Sequence, residues 1–421
     1  MTLVSLISYV DRNALALLAP TILDELRLSG EEYGFMIAAF SVAYSVGNPA
    51  WGWLIDRIGL RRGMFLAVTL WSLASASHAL ASTLVGLVIA RTLLGLGEGA
   101  TFPGGLRATQ ALPPEHRARG VALAYSGGSL GAILTPIVVT PVALAFGWRA
   151  AFLCTGLLGA AWLALWALVS RGKARIVANA PSLSPSPSLS PSPSPSRSPS
   201  LSPSRSHSRS HSRDADPADR VRANAPRLWA FIAAYALGGL PLGFVLYGAP
   251  LYLHRALHRT QADLGALLWL PPVGWEIGYF FWGWVVDRAT RGSADATPAF
   301  RKLLACLTLL TLPLAATPTL PGTALPLAAF ALATFVAAGF IMVGLAYAAR
   351  VFSARDAGLL AGIGAGSWSA GVAVLMPVFG WLFDRREYGL AFAIATAAPV
   401  LGFAAFRAID REAPTLQPDD V

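Results

Sequence analysis

Gly52-Trp-Leu-Ile-Asp-Arg57 ends a long apolar stretch near the start of the chain, and its pattern Gly-Trp-x-x-Asp-Arg occurs again at Gly283–Arg288 and Gly380–Arg385. In each copy a charged pair follows an apolar segment of the length that crosses a membrane. Roughly half of the chain separates the first two copies, so they mark equivalent positions in two repeated halves. The repeat predicts a polytopic membrane protein built from two copies of one helical bundle.

The composition excludes an ordinary soluble globular protein. Of the 421 residues, 55% are hydrophobic and 13% are charged, whereas a soluble domain carries about 25% charged residues. A membrane is needed to cover so much apolar surface. Cys154 and Cys306 both fall inside apolar segments, so we expect small core residues rather than a disulfide framework or a zinc site.

The net charge of +10 is concentrated in one segment. Residues 171–227 contain ten Lys or Arg and three Asp, and within them 181–213 consists of Ser-Pro repeats followed by Ser-Arg and Ser-His repeats. This composition cannot bury a core, so we expect a disordered cytoplasmic linker. Serine-arginine tracts also suggest RNA binding or phosphorylation. A basic loop on the cytoplasmic side of a membrane is the simpler interpretation, and we expect no nucleic-acid partner.

Apolar segments of about 20 residues can each cross the ~30 Å hydrocarbon core as a helix. Twelve such spans, numbered 1 to 12, are predicted at 2–22, 33–54, 63–82, 83–105, 119–145, 149–170, 228–253, 264–286, 302–319, 322–349, 357–382 and 388–407. The predicted fold is all-α and spans the lipid bilayer. It divides into an N-terminal six-helix bundle (1–170), the linker (171–227), a C-terminal six-helix bundle (228–410) and a cytoplasmic tail (411–421).

Basic residues predict the orientation. The loops that follow the even-numbered spans are rich in them, with Arg57, Arg61, Arg62, Arg107, Arg117, Arg119, Arg288, Arg291, Arg301, Lys302, Arg350 and Arg355 beside the linker. By the positive-inside rule these loops and both termini are cytoplasmic. We expect the protein in the plasma membrane, which in a bacterium is the inner membrane.

The first hexapeptide copy continues as a basic turn between spans 2 and 3. The candidate gating residues in it are Gly52, Asp56, Arg57, Gly59, Arg61 and Arg62. Asp56 can cap a neighbouring helix or pair with an arginine across the bundle. One interpretation is a plain turn with cytoplasmic arginines, and the other is a gate latch that breaks during transport. The run resembles the loop signature of the major facilitator superfamily between its second and third helices.

The other two copies differ in position. The second lies at the matching loop of the second half, which makes Asp287 and Arg288 further gating candidates. The third, Gly380–Arg385, follows span 11 and so lies on the opposite, external side. It cannot form the same cytoplasmic latch.

Span 1 carries Tyr9, Asp11 and Arg12 in an otherwise apolar helix. A charge at membrane depth costs at least about 2.5 kcal/mol, so it persists mainly where it faces a polar cavity or a partner. Neighbouring helix positions lie about 100° apart, so Asp11 and Arg12 point in different directions. A local ion pair is one explanation. The other assigns Arg12 to an anionic substrate and Asp11 to a proton.

Span 4 contains Arg91 and, seven positions later on a similar face, Glu98. A carboxyl group buried without a full partner can bind and release a proton, so Asp11 and Glu98 together suit proton coupling. Alternatively, Arg91 holds Glu98 ionised in a structural pair. Arg91 is also a gating candidate.

These residues resemble one branch of the superfamily, the anion:cation symporters, which include hexuronate and galactonate carriers. The matching motifs are Tyr9-x-Asp11-Arg12, Ala39-Phe40-x3-Tyr44, Arg91-x3-Gly95-x-Gly97-Glu98-x3-Phe102-Pro103, Gly147-Trp148-Arg149-x2-Phe152 and Tyr247-x2-Pro250-x-Tyr252-Leu253. The resemblance implies that Arg12, Tyr9 and Tyr44 bind a substrate carboxylate. It also implies that Asp11 and Glu98 carry protons.

Further candidate residues leave the substrate open. Asn48, Ser129, Tyr247 and Trp368 are expected to contact it, although Asn48 stands where many relatives have glutamine. Glu276 in span 8 is a further membrane carboxyl. It is a substrate contact, a third protonation site or a residue facing a water-filled vestibule.

The sequence as a whole predicts a proton-coupled symporter that imports a small organic anion, such as a hexuronate, by alternating access. We expect a monomer in which the proton is the coupling ion and no cofactor is bound. The alternatives are a non-sugar monocarboxylate carrier, an exporter, or a membrane sensor that binds its ligand without moving it. An enzyme is not expected, since no Ser/His pair or metal-ligand cluster lies within the spans.

Overall fold

A computed structural model describes residues 1–110, 112–113, 116, 120, 123–124, 126–178, 225–293, 295–352 and 357–412. The greater part of the predicted linker, 179–224, lies outside the described residues, and so does the tail from 413. The same holds for Arg117, Arg119 and Arg355 of the predicted cytoplasmic loops.

Helices occur at all twelve predicted positions. In the first half they are Thr2–Leu26 (span 1), Gly30–Ile58 (span 2), Leu60–Ser77 (span 3), Leu84–Glu98 and Thr101–Gln110 (span 4), Gly127–Phe146 (span 5) and Trp148–Ala178 (span 6). In the second half they are Ala225–Ile232 and Leu240–Leu257 with the π-helical Ala233–Leu237 between them (span 7), Gln261–Leu267 and Leu270–Thr290 (span 8), Thr297–Thr311 with the 3-10 helix Leu312–Thr319 (span 9), Ala324–Val351 (span 10), Ala357–Asp384 (span 11) and Tyr388–Glu412 (span 12).

The membrane-spanning character of the fold is confirmed. Among the described residues, ten helices are long and apolar enough to cross a membrane. The helices of spans 2 and 8 have sufficient length, with 29 residues in Gly30–Ile58 and 21 in Leu270–Thr290, but they are less apolar. Ten of the twelve predicted spans therefore meet both requirements.

The apolar cores divide the molecule along the direction of the spans. We call the span ends inner and outer after the predicted cytoplasmic and external sides. One core unites the outer halves of both bundles and includes Leu18, Tyr33, Leu251 and Phe379. Toward the inner side, separate cores surround Trp71 in the first half and Phe340 and Trp282 in the second. The outer core is thus shared fully by both bundles, whereas each inner core consists mainly of residues from one bundle.

Glycines in span 4 bring three helices of the first half close together. A Cβ atom on Gly97 would lie 2.8 Å from Cβ of Trp71 in span 3. A Cβ atom on Gly99 would lie 2.8 Å from the carbonyl carbon of Gly47 in span 2. Because real Cβ atoms do not approach this closely, the backbones can meet here only with glycine. Glu98 lies between these two glycines and is carried into the centre of the bundle.

Candidate functional site

An ion pair is buried inside the N-terminal bundle. Arg12 donates from Nε and Nη2 to Oε2 of Glu98 at 3.2 and 3.0 Å. Ser8, one helical turn before Arg12, donates to the same oxygen at 2.9 Å. Arg12 is 2% exposed and Glu98 is fully buried, so each charge depends on the other for neutralisation.

Aromatic rings surround the guanidinium group of Arg12. Its central carbon lies 4.5 Å from the ring centres of both Tyr9 and Tyr44. The Phe40 ring centre is 4.9 Å away. Cation–π contacts of this kind stabilise a guanidinium group that has lost its water. The structure therefore assembles the three residues predicted to bind a carboxylate.

Asp11 belongs to a different network, as its position next to Arg12 on a helix requires. Ser75 of span 3 donates to Oδ1 of Asp11 at 2.7 Å, and the Ser75 hydroxyl lies 2.8 Å from that of Thr155 in span 6. Oδ2 of Asp11 is buried without a hydrogen-bond partner. Nothing in the sequence singles out Ser75 or Thr155, since isolated hydroxyl residues are common in apolar helices.

Arg91 does not pair with Glu98, which corrects the structural ion pair considered from the sequence. Its Nη2 donates to the backbone oxygen of Arg12 at 3.3 Å, while Nε and Nη1 are buried without a partner. Seven residues separate Arg91 from Glu98 by about 10 Å along the helix axis, so Arg91 meets span 1 nearer its outer end. Its contacts lie in the bundle interior rather than at the turn that holds the other gating candidates.

The second half faces this pair with aromatic rings and a carboxylate. The ring centre of Trp275 lies 5.6 Å from that of Tyr9 and 5.7 Å from that of Tyr279. Beside Trp275, the half-buried Glu276 accepts a hydrogen bond through Oε2 from the hydroxyl of Ser129 in span 5. Ser129 and Glu276, both candidates from the sequence, therefore connect the two bundles.

The remaining substrate candidates have partners nearby. Trp368 is half-buried and donates from Nε1 to the backbone oxygen of Gly239 at 2.9 Å. Tyr247 is buried, and its backbone oxygen accepts a hydrogen bond of 2.8 Å from Tyr33 of the other bundle. The amide of Asn48 donates to the backbone oxygen one turn earlier in its own helix, at 3.0 Å. The Asn48 amide nitrogen is thus engaged within span 2.

The first hexapeptide copy is held within the N-terminal bundle. Asp56 pairs with Arg107 of span 4 at 3.8 Å. Arg57 stacks on Trp53, with its guanidinium carbon 3.8 Å from the ring centre. Arg61 donates from Nε to the hydroxyl of Ser170 in span 6 at 3.0 Å. These contacts fix the turn to spans 4 and 6.

The other gating candidates of this turn are Gly59, Gly52 and Arg62. Gly59 has φ +84°, a backbone conformation that glycine adopts readily, and it starts the helix of span 3. A Cβ atom on Gly52 would lie 3.7 Å from Pro103, and Arg62 is exposed.

The second copy leaves Asp287 and Arg288 exposed at the inner end of span 8. Arg350 from span 10 donates to the backbone oxygens of Thr290 and Ser293, at 3.2 and 3.4 Å. The end of span 8 is therefore held by Arg350, which the sequence showed only as a basic loop residue.

The third copy forms a contact between the bundles at the outer end. Asp384 accepts hydrogen bonds from the backbone N–H groups of Gly30, at 2.7 Å, and Glu31, at 2.9 Å. Arg255 of span 7 donates to the same carboxylate at 2.7 Å. A Cβ atom on Gly30 would lie 2.7 Å from the backbone oxygen of Gly380. Asp384 thus caps the first turn of span 2 from the opposite bundle.

Other cross-bundle contacts reinforce this end. Gln261 donates from Nε2 to the backbone oxygen of Leu17 at 3.1 Å and accepts from the hydroxyl of Thr21 at 3.0 Å. His254 lies 3.5 Å from the carboxylate of Asp24. None of these residues was predicted from the sequence as part of a site. The repeated hexapeptide was a signal for Asp384, whereas Gln261 belongs to no motif.

Comparison with known proteins agrees with the all-helical, membrane-spanning fold. A family model described as Major Facilitator Superfamily matches residues 1–342. The galacturonate transporter of Dickeya chrysanthemi is 36% identical over 168 residues, which are 39% of this chain and 48% of the relative. The hexuronate transporter of Escherichia coli (strain K12) is 34% identical over 167 residues, which are 39% of each chain. The chain thus spans less than half the length of these two relatives.

A longer match is to the D-galactonate transporter of Escherichia coli O6:H1, 27% identical over 317 residues, which are 71% of this chain and 69% of the relative. The resemblance to the superfamily and to its hexuronate and galactonate carriers is confirmed. Among solved structures, a bacterial homologue of the human lysosomal transporter Spinster, in an inward-facing and unoccupied conformation, has a TM-score of 0.76. It is 14% identical and the match covers 99% of this chain and 97% of that one, which shows a shared fold.

Proposed function

Because the chain belongs to the Major Facilitator Superfamily, we propose that it is a secondary active transporter that carries a small organic anion across the plasma membrane together with a proton. The proposed cargo is a sugar acid of the hexuronate type. The names of the relatives support this class of cargo. The single observation that carries the proposal is the buried Arg12–Glu98 pair in its aromatic surroundings.

The cargo carboxylate takes the place of Glu98 at Arg12. A substrate carboxylate presents two oxygens to the planar guanidinium group, whereas Glu98 uses Oε2 alone. Tyr9 and Tyr44 already lie against this guanidinium group, so the incoming anion enters a site prepared for it. Arg12 is therefore the residue that selects an anion.

Glu98 connects anion binding to the proton. Its Oε1 is buried without a partner, and a Glu98 displaced from Arg12 would be an unpaired charge in an apolar bundle. Such a charge is costly, and a proton removes it. Asp11 offers a second site of the same kind, because its Oδ2 is also buried without a partner. Anion and proton therefore bind together, and the loaded site carries little net charge.

The two ends of the molecule support a mechanism of alternating access. In the proposed mechanism the outer contacts around Asp384 and Gln261 close the external side, and the cytoplasmic side, where each core belongs mainly to one bundle, is the open side. When the bundles rock about the site, the outer contacts break and the inner ends meet. In that second state Asp56 and its neighbours in the first hexapeptide copy form the cytoplasmic latch.

Counterflow in proteoliposomes tests the proposal. Liposomes containing the purified full chain and loaded with unlabelled D-galacturonate should accumulate labelled D-galacturonate, and an imposed inward proton gradient should drive uptake. Arg12→Ala should reduce binding and counterflow to the level of empty liposomes, because the anion loses its counter-charge. Arg12→Lys keeps the charge without the planar fork and should retain part of the binding.

Three results would contradict the proposal. Unchanged binding in Arg12→Ala would remove Arg12 from the site. Ligand binding without counterflow would indicate a sensor. Counterflow of short monocarboxylates without counterflow of sugar acids would indicate the non-sugar carrier.

A further inference from the structure

Glu276 is a carboxylate that the coupling mechanism does not use. It lies half-buried in span 8, and its Oε2 accepts a hydrogen bond from Ser129 across the bundle boundary. No Lys or Arg of the described part of the chain forms an ion pair with it. A carboxylate within a membrane protein without a cationic partner is expensive, and such residues mark a functional site.

The surroundings of Glu276 continue the anion site of the first half. Trp275 precedes it, and the Trp275 ring contacts Tyr9, whose other neighbour is the guanidinium group of Arg12. The Tyr9 ring in turn lies against Gly128, where a Cβ atom would be 3.0 Å from Cε2 of the tyrosine. Gly128 adjoins Ser129, the partner of Glu276. A ligand held by Arg12 therefore has Tyr9 and Trp275 along its length and Glu276 beyond them.

The chemistry of this second end differs from that of the first. A carboxylate repels another anion, so a dicarboxylate does not suit Glu276. It accepts hydrogen bonds strongly, and it already accepts one from a hydroxyl group. Aromatic rings beside it offer apolar faces to the C–H surface of a small ring compound. Hydroxyl groups on such a ring can then reach the carboxylate oxygens.

We propose that Glu276 is a specificity-determining residue that binds hydroxyl groups of the cargo at the end opposite its carboxylate. The inference rests on the proposed function and narrows it. The cargo is a polyhydroxy acid whose carboxylate lies at Arg12 and whose hydroxyl groups lie at Glu276. A monocarboxylate without hydroxyl groups leaves the Glu276 charge without a ligand donor and binds weakly.

Two ligands of equal ring size test the proposal by titration of the purified full chain. D-Galacturonate has a carboxylate and ring hydroxyl groups, and cyclohexanecarboxylate has the carboxylate alone. The wild type should bind D-galacturonate at least about tenfold more tightly, the usual discrimination by hydrogen bonds to a charged group. Glu276→Gln preserves shape and an acceptor for Ser129. It should weaken the binding of D-galacturonate by roughly tenfold, and it should not weaken the binding of cyclohexanecarboxylate, which then no longer leaves a charge at position 276 without a donor.

The matched control is Glu387→Gln, at an exposed glutamate in the turn after span 11, which should change neither affinity. If Glu276→Gln weakened the binding of both ligands equally, or weakened the binding of neither, the assignment of Glu276 would be overturned. Stronger binding of cyclohexanecarboxylate than of D-galacturonate to the wild type would also overturn it, while carboxylate transport would stand. Failure of both ligands to bind the wild type would overturn the proposed function together with this inference.

Discussion

In the proposed mechanism Glu98 is the residue at which the anion and the proton meet. Arg12 and Ser8 hold it through Oε2, while Oε1 is buried and has no hydrogen-bond partner. Removing one partner of a buried ion pair leaves an uncompensated charge that costs about 3–5 kcal/mol. A protonated Glu98 avoids this cost. Arg12 is then free for the cargo. The cargo anion and the proton therefore each alter the site at which the other binds.

Glu98→Gln should separate transport from coupling. Glutamine has the same shape and can still accept from Ser8, but it carries no charge and exchanges no proton. Arg12 is then available to the cargo, so we expect substrate binding and counterflow to be retained. Uphill uptake driven by a proton gradient should fall to the level of empty liposomes. Both quantities are measured in proteoliposomes with labelled D-galacturonate.

Glu387→Gln again serves as the matched control, because this exposed glutamate lies outside the bundles' interior. It should preserve both counterflow and uphill uptake. If Glu98→Gln still accumulated substrate against its gradient, the coupling role would pass to Asp11.

The residues of this site could be predicted from the sequence in part. Charged residues in apolar helices identified Asp11, Arg12 and Glu98, because the cost of burying charge makes them conspicuous. Helical spacing also predicted that Asp11 and Arg12 point apart. The partner of Glu98 could not be predicted, since that depends on how spans 1 and 4 are rotated against each other. Arg91 was a plausible partner by spacing, but it lies two turns too far toward the outer end.

The helices of the outer end illustrate how one motif serves different purposes. The first copy of the hexapeptide pairs Asp56 with Arg107 inside one bundle. The third copy directs Asp384 to the start of span 2 in the other bundle. Both aspartates follow a Gly-Trp step at a helix end. Their partners differ because the outer ends of spans 2 and 11 touch in this conformation.

Asp384→Ala should weaken the outer closure. The substitution removes two cap hydrogen bonds and the pairing with Arg255. Loss of a helix cap costs about 1 kcal/mol. We expect the outward-open population to rise by about fivefold or more. A cysteine placed at Ser369, which is 2% exposed beside span 2, reports the change through its labelling rate with a membrane-impermeant maleimide added outside intact cells.

The background for this measurement lacks Cys154 and Cys306. Asp287→Ala is the matched control, because the same aspartate of the second copy is exposed at the inner end. It should leave external labelling unchanged. An Asp384→Ala variant that labels no faster than its parent would show that other contacts hold the outer end.

The position of the third copy at the opposite end of the helices from the first copy followed from counting spans. Its contact with span 2 did not, because two glycines that allow close approach, Gly30 and Gly380, lie far apart in sequence. Contacts between bundles depend on the conformation that the protein adopts, and a single sequence encodes more than one.

In the proposed mechanism the whole molecule separates its outer ends in every transport cycle. A cross-link between Thr21→Cys and Gln261→Cys should therefore stop transport, since the native Thr21 hydroxyl and Gln261 amide oxygen are 3.0 Å apart and belong to different bundles. Because cysteine is shorter than glutamine, the link is made with a short bis-thiosulfonate reagent rather than by direct oxidation. Cross-linking should reduce uptake to the level of empty liposomes, and a reducing agent should restore it. Uptake is measured in proteoliposomes prepared without the native cysteines.

A cross-link within one bundle provides the comparison. The same reagent joins Glu25→Cys of span 1 to Arg149→Cys of span 6, two positions whose native side chains form an ion pair in the N-terminal bundle. Cross-linking of this pair should leave uptake largely intact, because both residues move together. Continued transport through the cross-linked Thr21 and Gln261 pair would exclude rocking of the bundles as the transport motion.

For the whole molecule, the positions of the helices were predictable, and ten of the twelve predicted spans are long and apolar enough to cross a membrane in the described part of the chain, because apolar length is a local property of the sequence. The less apolar character of spans 2 and 8 has a physical reason in their neighbours. Span 2 carries charged residues at both ends, Glu31 and Glu32 at one and Asp56 and Arg57 at the other. Its outer half contacts span 11 of the opposite bundle, so part of its surface meets protein rather than lipid.

Span 2 depends on the other bundle to complete its first turn. Ser29 accepts from the N–H of Glu32, but the N–H groups of Gly30 and Glu31 donate to Asp384. In the proposed cycle, these two donors pass to water each time the outer end opens, and the positive end of the helix dipole keeps Glu31 and Glu32 but loses the carboxylate of Asp384. We therefore expect the unloaded protein to favour the state with its inner end open. If its empty return limits turnover, exchange of cargo should be faster than net uptake.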